Sequence, residues 1–362
     1  MLQRPLLVIG GVALDITATA SQGTSFQSLL HTSTPGKVRQ TLGGVGRNVC
    51  EAAMRTGAPS LMFSATGDDL AGSTLRQGMK HMGMNTSLID TIPSQGTAVY
   101  NAFHDHDGQL ISAVADMDIF DSMNYAQLRE VFTRHRPSLV CFDGNITAKA
   151  METVAATCQS FGVPAFFEPT SIPKSLKLFD ESTQTVSLGA IRYTSPNQYE
   201  LEMMVDRAKT RFGAALKIPH HTSLPANAPP LAHESLYNAL YLSHYIPQVI
   251  LKLGEYGCVY VCPSSTSSPQ QRTAKYFSPE VLDPTTVKSV TGAGDSFVGA
   301  VLANLLQDPF TEDMTIWQQI IQNGQRAAVR TLQSDLAVSP SIGQDLYCRL
   351  CIFTCCSCAI IY

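Results

Sequence analysis

Short apolar runs that alternate with glycine-closed helical patterns constrain the fold of this chain most. The runs at 6–9, 60–65, 138–142, 164–168, 191–195 and 248–253 each read as a buried strand. Between them lie helical patterns such as 48–56, 70–82 and 148–161, followed at once by Gly57, Gly83 and Gly162. Glycine in that place is a stop signal, because it takes the left-handed backbone that closes a helix. Strand–helix alternation of this kind builds a parallel sheet covered on both faces. Ligand sites on such sheets lie in loops at the carboxyl ends of the strands.

One region breaks the rhythm. Residues 96–119 alternate apolar and polar side chains around Asp107-Gly108, which is the pattern of a β-hairpin. Residues 34–41 read as a further exposed strand, so a small sheet is expected to project from the body as a lid. The stretches 213–233, with four prolines, and 262–275, rich in Ser and Gln, read as surface loops. The net charge is −4 and only 15% of the 362 residues are charged. That balance argues against a nucleic-acid footprint and against a highly charged disordered chain. No apolar stretch reaches the roughly 18 residues of a membrane span, and no secretory leader pattern opens the chain. The expectation is a soluble, cytoplasmic protein.

Two glycine turns carry the candidate chemistry. In VTGAGDSF, residues 290–297, the turn Gly292-Ala293-Gly294 runs into the apolar positions of a helix. Such a turn binds anions, because unpaired N–H groups and the helix dipole both favour negative charge. Asp295 follows directly, where a carboxylate can accept a proton from an attacking hydroxyl. A tight turn with Asp295 as an ordinary N-cap is the plainer alternative. In LGGVGRN, residues 42–48, Gly43 and Gly44 allow backbone to approach a ligand, and Asn48 offers donor and acceptor to a polyol. Asp15, read as lying just after the first strand, has two oxygens for adjacent hydroxyls; a glycine turn serving only helix–sheet packing is the alternative. The P-loop pattern is absent, and no G-x-G-x-x-G follows the first strand.

GGVGRN and TGAGDSF, about 250 residues apart, together resemble the paired signatures of the ribokinase (PfkB) sugar-kinase family. Further matches are TGDD at 66–69, Asn197-Gln198-Tyr199-Glu200 and KLGEYG at 252–257, so the resemblance covers about residues 5–340. It implies an α/β, ribokinase-like fold with a mostly parallel central sheet flanked by helices and a small β-sheet lid. It also implies ATP-dependent phosphorylation of a primary hydroxyl, with Mg2+. FDGNIT at 142–147, FFEPTSIPKS at 166–175, TLQSDLAVSP at 331–340 and VADMDI on the lid look like the pseudouridine kinase branch of that family.

The resemblance makes Asp295 the catalytic base and Gly292, Ala293 and Gly294 its anion hole. Asp15, Gly43, Gly44 and Asn48 become sugar-binding positions. Asn197 and Glu200 would place Mg2+ and the ATP phosphates, with the metal held through the phosphates near Glu200. Lys252, Gly254 and Gly257 fall where the nucleotide lies, and Gly324 near its adenine. Ser289 stands where many members have an Asp that helps hold a monovalent cation, which puts K+ activation in doubt. A small nucleoside or sugar is the expected partner, with no nucleic acid and no membrane; a homodimer through the lid stays open.

The kinase domain is expected over 5–342, and the remainder, 343–362, outside the fold. Five of the ten cysteines crowd into 348–358 with the spacing C-x2-C-x3-C-x2-C of Cys348, Cys351, Cys355 and Cys358. Structural zinc pairs usually sit a dozen or more residues apart, so an alternative chain ending is the reading preferred to a metal site.

Overall fold

A computed structural model describes residues 3–21, 31–213, 222–264 and 271–348. In chain order its strands are β1 (Leu6–Ile9), β2 (Ala13–Ala20), β3 (Gly36–Gly43), β4 (Ser60–Gly67), β5 (Leu88–Ile92), β6 (Val99–His104) and β7 (Leu110–Asp116). They continue with β8 (Leu139–Asp143), β9 (Ala165–Glu168), β10 (Ile191–Thr194), β11 (Gln248–Lys252), β12 (Cys258–Pro263) and β13 (Arg272–Phe277). Nine of them form one sheet in the order β13-β12-β11-β10-β9-β8-β1-β4-β5. All neighbours in it run parallel except β11–β12 and β12–β13. The other four, in the order β3-β2-β6-β7, form the separate lid sheet.

The central strands β1, β8 and β9 are buried along their whole length. A continuous apolar run suits that position, since helices cover both faces of a parallel sheet. The helices that matter for the site are α1 (Val45–Thr56), α2 (Leu70–His81), α3 (Gln198–Phe212), α4 (Ala293–Leu305) and α5 (Met314–Leu332). Helix α4 is buried from Ser296 through Leu305, and each large apolar side chain it buries contributes roughly 1.5–3 kcal/mol. Gly299 lets α1 and α4 cross closely: a methyl group there would lie 2.5 Å from Ala52 Cβ and 2.6 Å from Val49 O. This crossing brings the start of α1 against the start of α4.

The ribokinase-like architecture matches the expectation, and the six core strands start and end within two residues of the apolar runs. Several details differ. The lid has a fourth strand, β2, and Asp15, expected just after the first strand, lies on it, paired with Thr41 of β3 and Tyr100 of β6. The second lid strand spans 36–43 rather than 34–41. Residues 230–233 begin a helix that runs over Pro230–Leu242, and β13 occupies 272–275, so the expected loops are shorter; 214–221 and 265–270 lie outside the described residues.

The fold also extends past Ile342. Leu346 is buried against Ala52, Ala300, Ala327 and Val338, and its carbonyl accepts a hydrogen bond of 2.9 Å from Asn304 Nδ2. Asp345 pairs with Arg330, and Tyr347 exchanges hydrogen bonds with Gln3. Buried Leu346 and the buried Asn304, with these polar contacts, seat residues 343–348. Cys351, Cys355 and Cys358 lie outside the described residues, as does the spacing they form. Among the described residues, no helix is long and apolar enough to cross a membrane.

Candidate active site

The site forms where the two glycine turns meet at the carboxyl ends of β1 and β8. Helix α1 starts at Gly44, and the chain before it carries Gly43 against Asp15. A methyl group on Gly43 would lie 2.1–2.4 Å from the Asp15 carboxylate atoms, so only glycine leaves that carboxylate in place. Helix α4 starts at Gly292, whose φ of 76° is left-handed and whose Cβ would fall 1.9 Å from Ala337 O. Both the backbone and the contact require glycine there. The first-turn N–H groups of α4 then lack partners within the helix, as at any helix start.

One hydrogen bond joins the two turns. Asn48 Nδ2, on α1, donates to Asp295 Oδ2 at 2.7 Å in the first turn of α4. The Asp295 carboxyl is raised above the usual range, mainly by burial. The Asn48 hydrogen bond, Lys252 and Arg47 pull it back, while Asp143 adds to the rise. Asp15 is pushed up to about 6 by burial, with Arg47 opposing and Asp295 adding to the shift. Both carboxyls thus lie within reach of Arg47 and of each other's charge.

On the other side of the α4 turn stands Lys252, at the end of β11. Its Nζ is 3.8 Å from where a Cβ on Gly294 would be. It pairs with Glu168 Oε1 at 2.9 Å, and Ser195 Oγ donates to the second Glu168 oxygen. Burial works against the Lys252 ammonium, yet Glu168, Glu200 and Asp295 outweigh it and hold its pKa above the usual value. Burial also raises Glu168, and Glu200 adds to that rise. Asn197 and Glu200 close a reciprocal capping box at the start of α3, each side chain bonded at 2.9 Å to the other's backbone N–H.

The expected positions therefore divide. Asp15, Gly43, Gly44, Asn48, Asp295 and the Gly292-Ala293-Gly294 turn converge, with Lys252 beside the turn and Glu200 near Lys252. Gly254 and Gly257 shape the tight turn between β11 and β12, with φ of 60° and 82°. Gly324 lies in α5 against Phe297 and Val301, where a methyl would come within 2.9 Å of either, so what it visibly serves is the crossing of α4 and α5. Ser289, half-buried, accepts a hydrogen bond of 3.2 Å from the Thr291 N–H.

No group of three or more His, Cys, Asp or Glu side chains among the described residues is arranged to hold a metal. Mg2+ fits this setting all the same, because it keeps several waters and binds through one or two carboxylates plus phosphates. Besides Asp295, Glu200 and Glu168 are carboxylates near Lys252.

Four participants escaped the sequence reading. Asp143, at the end of β8, accepts from Gly11 N at 2.9 Å, Gly46 N at 2.8 Å and Asn145 Nδ2 at 2.9 Å, so one buried carboxylate ties both loops of the sugar side together. Lys174 in turn donates to Asn145 Oδ1 at 2.6 Å. Glu168 is the third and Arg47 the fourth. Asp143, Lys174 and Glu168 lie inside stretches that carried the family resemblance, but their contacts join residues far apart in the chain. Arg47 had a local signal: Arg47, Glu51 and Arg55 recur every four residues along the helix.

The chain is 26% identical over 93% of its length to a pseudouridine-metabolizing bifunctional protein of Schizosaccharomyces pombe, and spans about half (47%) of that protein. It is 27% identical to the pseudouridine kinase of Escherichia coli, over 86% of this chain and 88% of that one. Among solved structures, Arabidopsis thaliana ribokinase complexed with ribose and ATP superposes with a TM-score of 0.71 at 17% identity, covering 95% of this chain and 97% of that one. The description "pfkB family carbohydrate kinase" matches residues 5–341, which contain both glycine turns, the lid and the Asp295 helix. The chain belongs to the pfkB family of carbohydrate kinases.

Proposed function

We propose that this chain transfers the terminal phosphoryl group of ATP to the 5′-hydroxyl of pseudouridine, with Mg2+. The observation that carries the reading is the Asn48–Asp295 hydrogen bond at the start of α4, with Lys252 beside the same turn. A polyol held by Asp15 and Asn48 meets a carboxylate and an anion turn in one place. Asp295 accepts the proton of the hydroxyl as its oxygen bonds to phosphorus, and the bond from that phosphorus to the ADP oxygen breaks. The first-turn N–H groups of α4 and the Lys252 ammonium take up the negative charge that develops. Mg2+, when bound, neutralises phosphate charge; Glu200 and Glu168 are the groups that would face it. The lid strands β2 and β3 bring Asp15 and Gly43 over the site, and closing it would exclude water as a competing acceptor.

Pseudouridine is favoured over ribose by the stretches 142–147 and 166–175. Both supply groups of the site, the buried Asp143 and Asn145 from one and the buried Glu168 with half-buried Lys174 from the other. The relatives named for pseudouridine point the same way. The test is turnover of ATP with pseudouridine, uridine, adenosine and ribose in parallel, with the product's phosphate located by phosphorus NMR. Pseudouridine 5′-phosphate as the preferred product is expected. Preference for ribose or another nucleoside would make this a kinase of different specificity, and binding without turnover would make it a ligand-binding member of the family.

A further inference from the structure

Arg47 has no assigned role in the phosphoryl transfer itself, yet it is buried at 2% exposure beside Asn48. Its Nε donates to Gly43 O at 3.3 Å, and one terminal nitrogen donates to Leu42 O and to Asn48 Oδ1. The other terminal nitrogen pairs with Glu51, whose second oxygen takes Arg55 Nε at 2.7 Å. A guanidinium is donor-only, so only the oxygen of the Asn48 carboxamide can face it. The NH2 end must then face Asp295, where it donates at 2.7 Å. Turned over, the amide would set its oxygen against a carboxylate oxygen, which repels it.

We propose that Arg47 is a positioning residue, which locks the Asn48 carboxamide in the one orientation that holds and aims the Asp295 carboxylate before substrate arrives. Glu51 serves this lock by neutralising a cation that burial would otherwise make costly. The same guanidinium ties down the carbonyls of Leu42 and Gly43, so one side chain sets both the sugar turn and the base. The charged or titratable groups facing Asp295 are Arg47 from α1, Lys252 from β11, Asp143 and Cys141 from β8 and Asp15 from β2. Lysine at position 47 keeps the charge but lacks the fork, and therefore separates aiming from electrostatics.

The inference rests on the kinase reading for its consequence but not for its test. Carboxyl-carbon NMR of the full chain, with Asp295 assigned through Asp295→Asn, gives the titration midpoint of Asp295 without any substrate. Arg47→Lys is expected to raise that midpoint by about half a unit or more, because the ionised form loses a fixed donor. Asn48→Ala raises it too, and adding Arg47→Lys to Asn48→Ala is expected to change it no further. With an acceptor, Arg47→Lys should lower kcat by about 10- to 100-fold, the scale of a misaligned reacting group, and leave the KM for ATP in place. An unchanged midpoint in Arg47→Lys, or shifts that simply add in the double variant, would overturn the proposal. If Arg47→Lys does not fold, Arg47→Gln/Glu51→Gln is measured with and without Asn48→Ala: the lost Arg47 charge raises the Asp295 midpoint in both backgrounds, so a larger rise where Asn48 is present is expected, and equal rises would overturn the proposal. Failure of the wild type to phosphorylate any acceptor refutes the kinase reading alone, since the midpoints still decide the role of Arg47.

Discussion

Replacing Gly43 by alanine perturbs the sugar side through a single methyl group. Gly43 has no left-handed backbone to lose, so the substitution acts by contact rather than by strain in the chain. The added Cβ would lie 2.1 Å from Asp15 Oδ2 and 2.4 Å from Oδ1, more than 1 Å inside normal contact. Gly43 and Ala13 are paired across β2 and β3, so the strands hold the methyl in place and the carboxylate is what moves. If Asp15 holds hydroxyls of the acceptor, its displacement loses a charged hydrogen bond worth about 1.5–3 kcal/mol, which is roughly a 10- to 100-fold weaker affinity. Calorimetry with pseudouridine and, separately, with an ATP analogue reads this directly: sugar affinity falls and nucleotide affinity stays. The decisive comparison is with Asp15→Ala. Once that carboxylate is gone, Gly43→Ala should cost little more. A full further loss in the double variant would show that Gly43 acts on the ligand itself and refute the displacement argument.

Two further outcomes follow from the same geometry. With its pKa raised to about 6, Asp15 is ionised above that pH and neutral below it, so acceptor affinity should fall as pH drops through about 6; Asp15→Asn should flatten that limb of a calorimetric pH series. Leu346→Ala should lower stability by about 2–5 kcal/mol, as for other buried leucines, with a matching drop in thermal melting; an unchanged melt would mean that residues 343–348 do not belong to the folded body.

How much of this was legible in the sequence depends on the range of the contacts involved. The core strands were legible because a buried parallel strand leaves an unbroken apolar run, as at 139–143, and glycine marks the helix ends at Gly57 and Gly162. Strand β2 was missed although ALDITATA alternates apolar and polar residues from Leu14 on, because it follows β1 after only three residues and was not read as a separate strand. Both glycine turns were visible as motifs, whereas what ties them together was not. Asp143 reaches Gly11 across 132 residues and Lys252 reaches Glu168 across 84, and no local pattern records such pairs. Gly324 shows the reverse case, a residue assigned by resemblance whose visible contacts are those of helix packing. The docked segment 343–348 was missed because only Leu346 in it is a buried anchor.

In the proposed mechanism Asp295 is the group that takes the proton, and Asp295→Asn tests that role most directly. Asparagine keeps the size and the place of the side chain at the start of α4 but cannot act as a base. Steady-state kinetics with saturating acceptor should show kcat lower by about 10²–10⁴-fold, the usual loss for a general base, with ATP binding by calorimetry nearly unchanged. A variant that keeps more than half of the wild-type turnover would contradict the assignment of Asp295 and, with it, the mechanism proposed for this site.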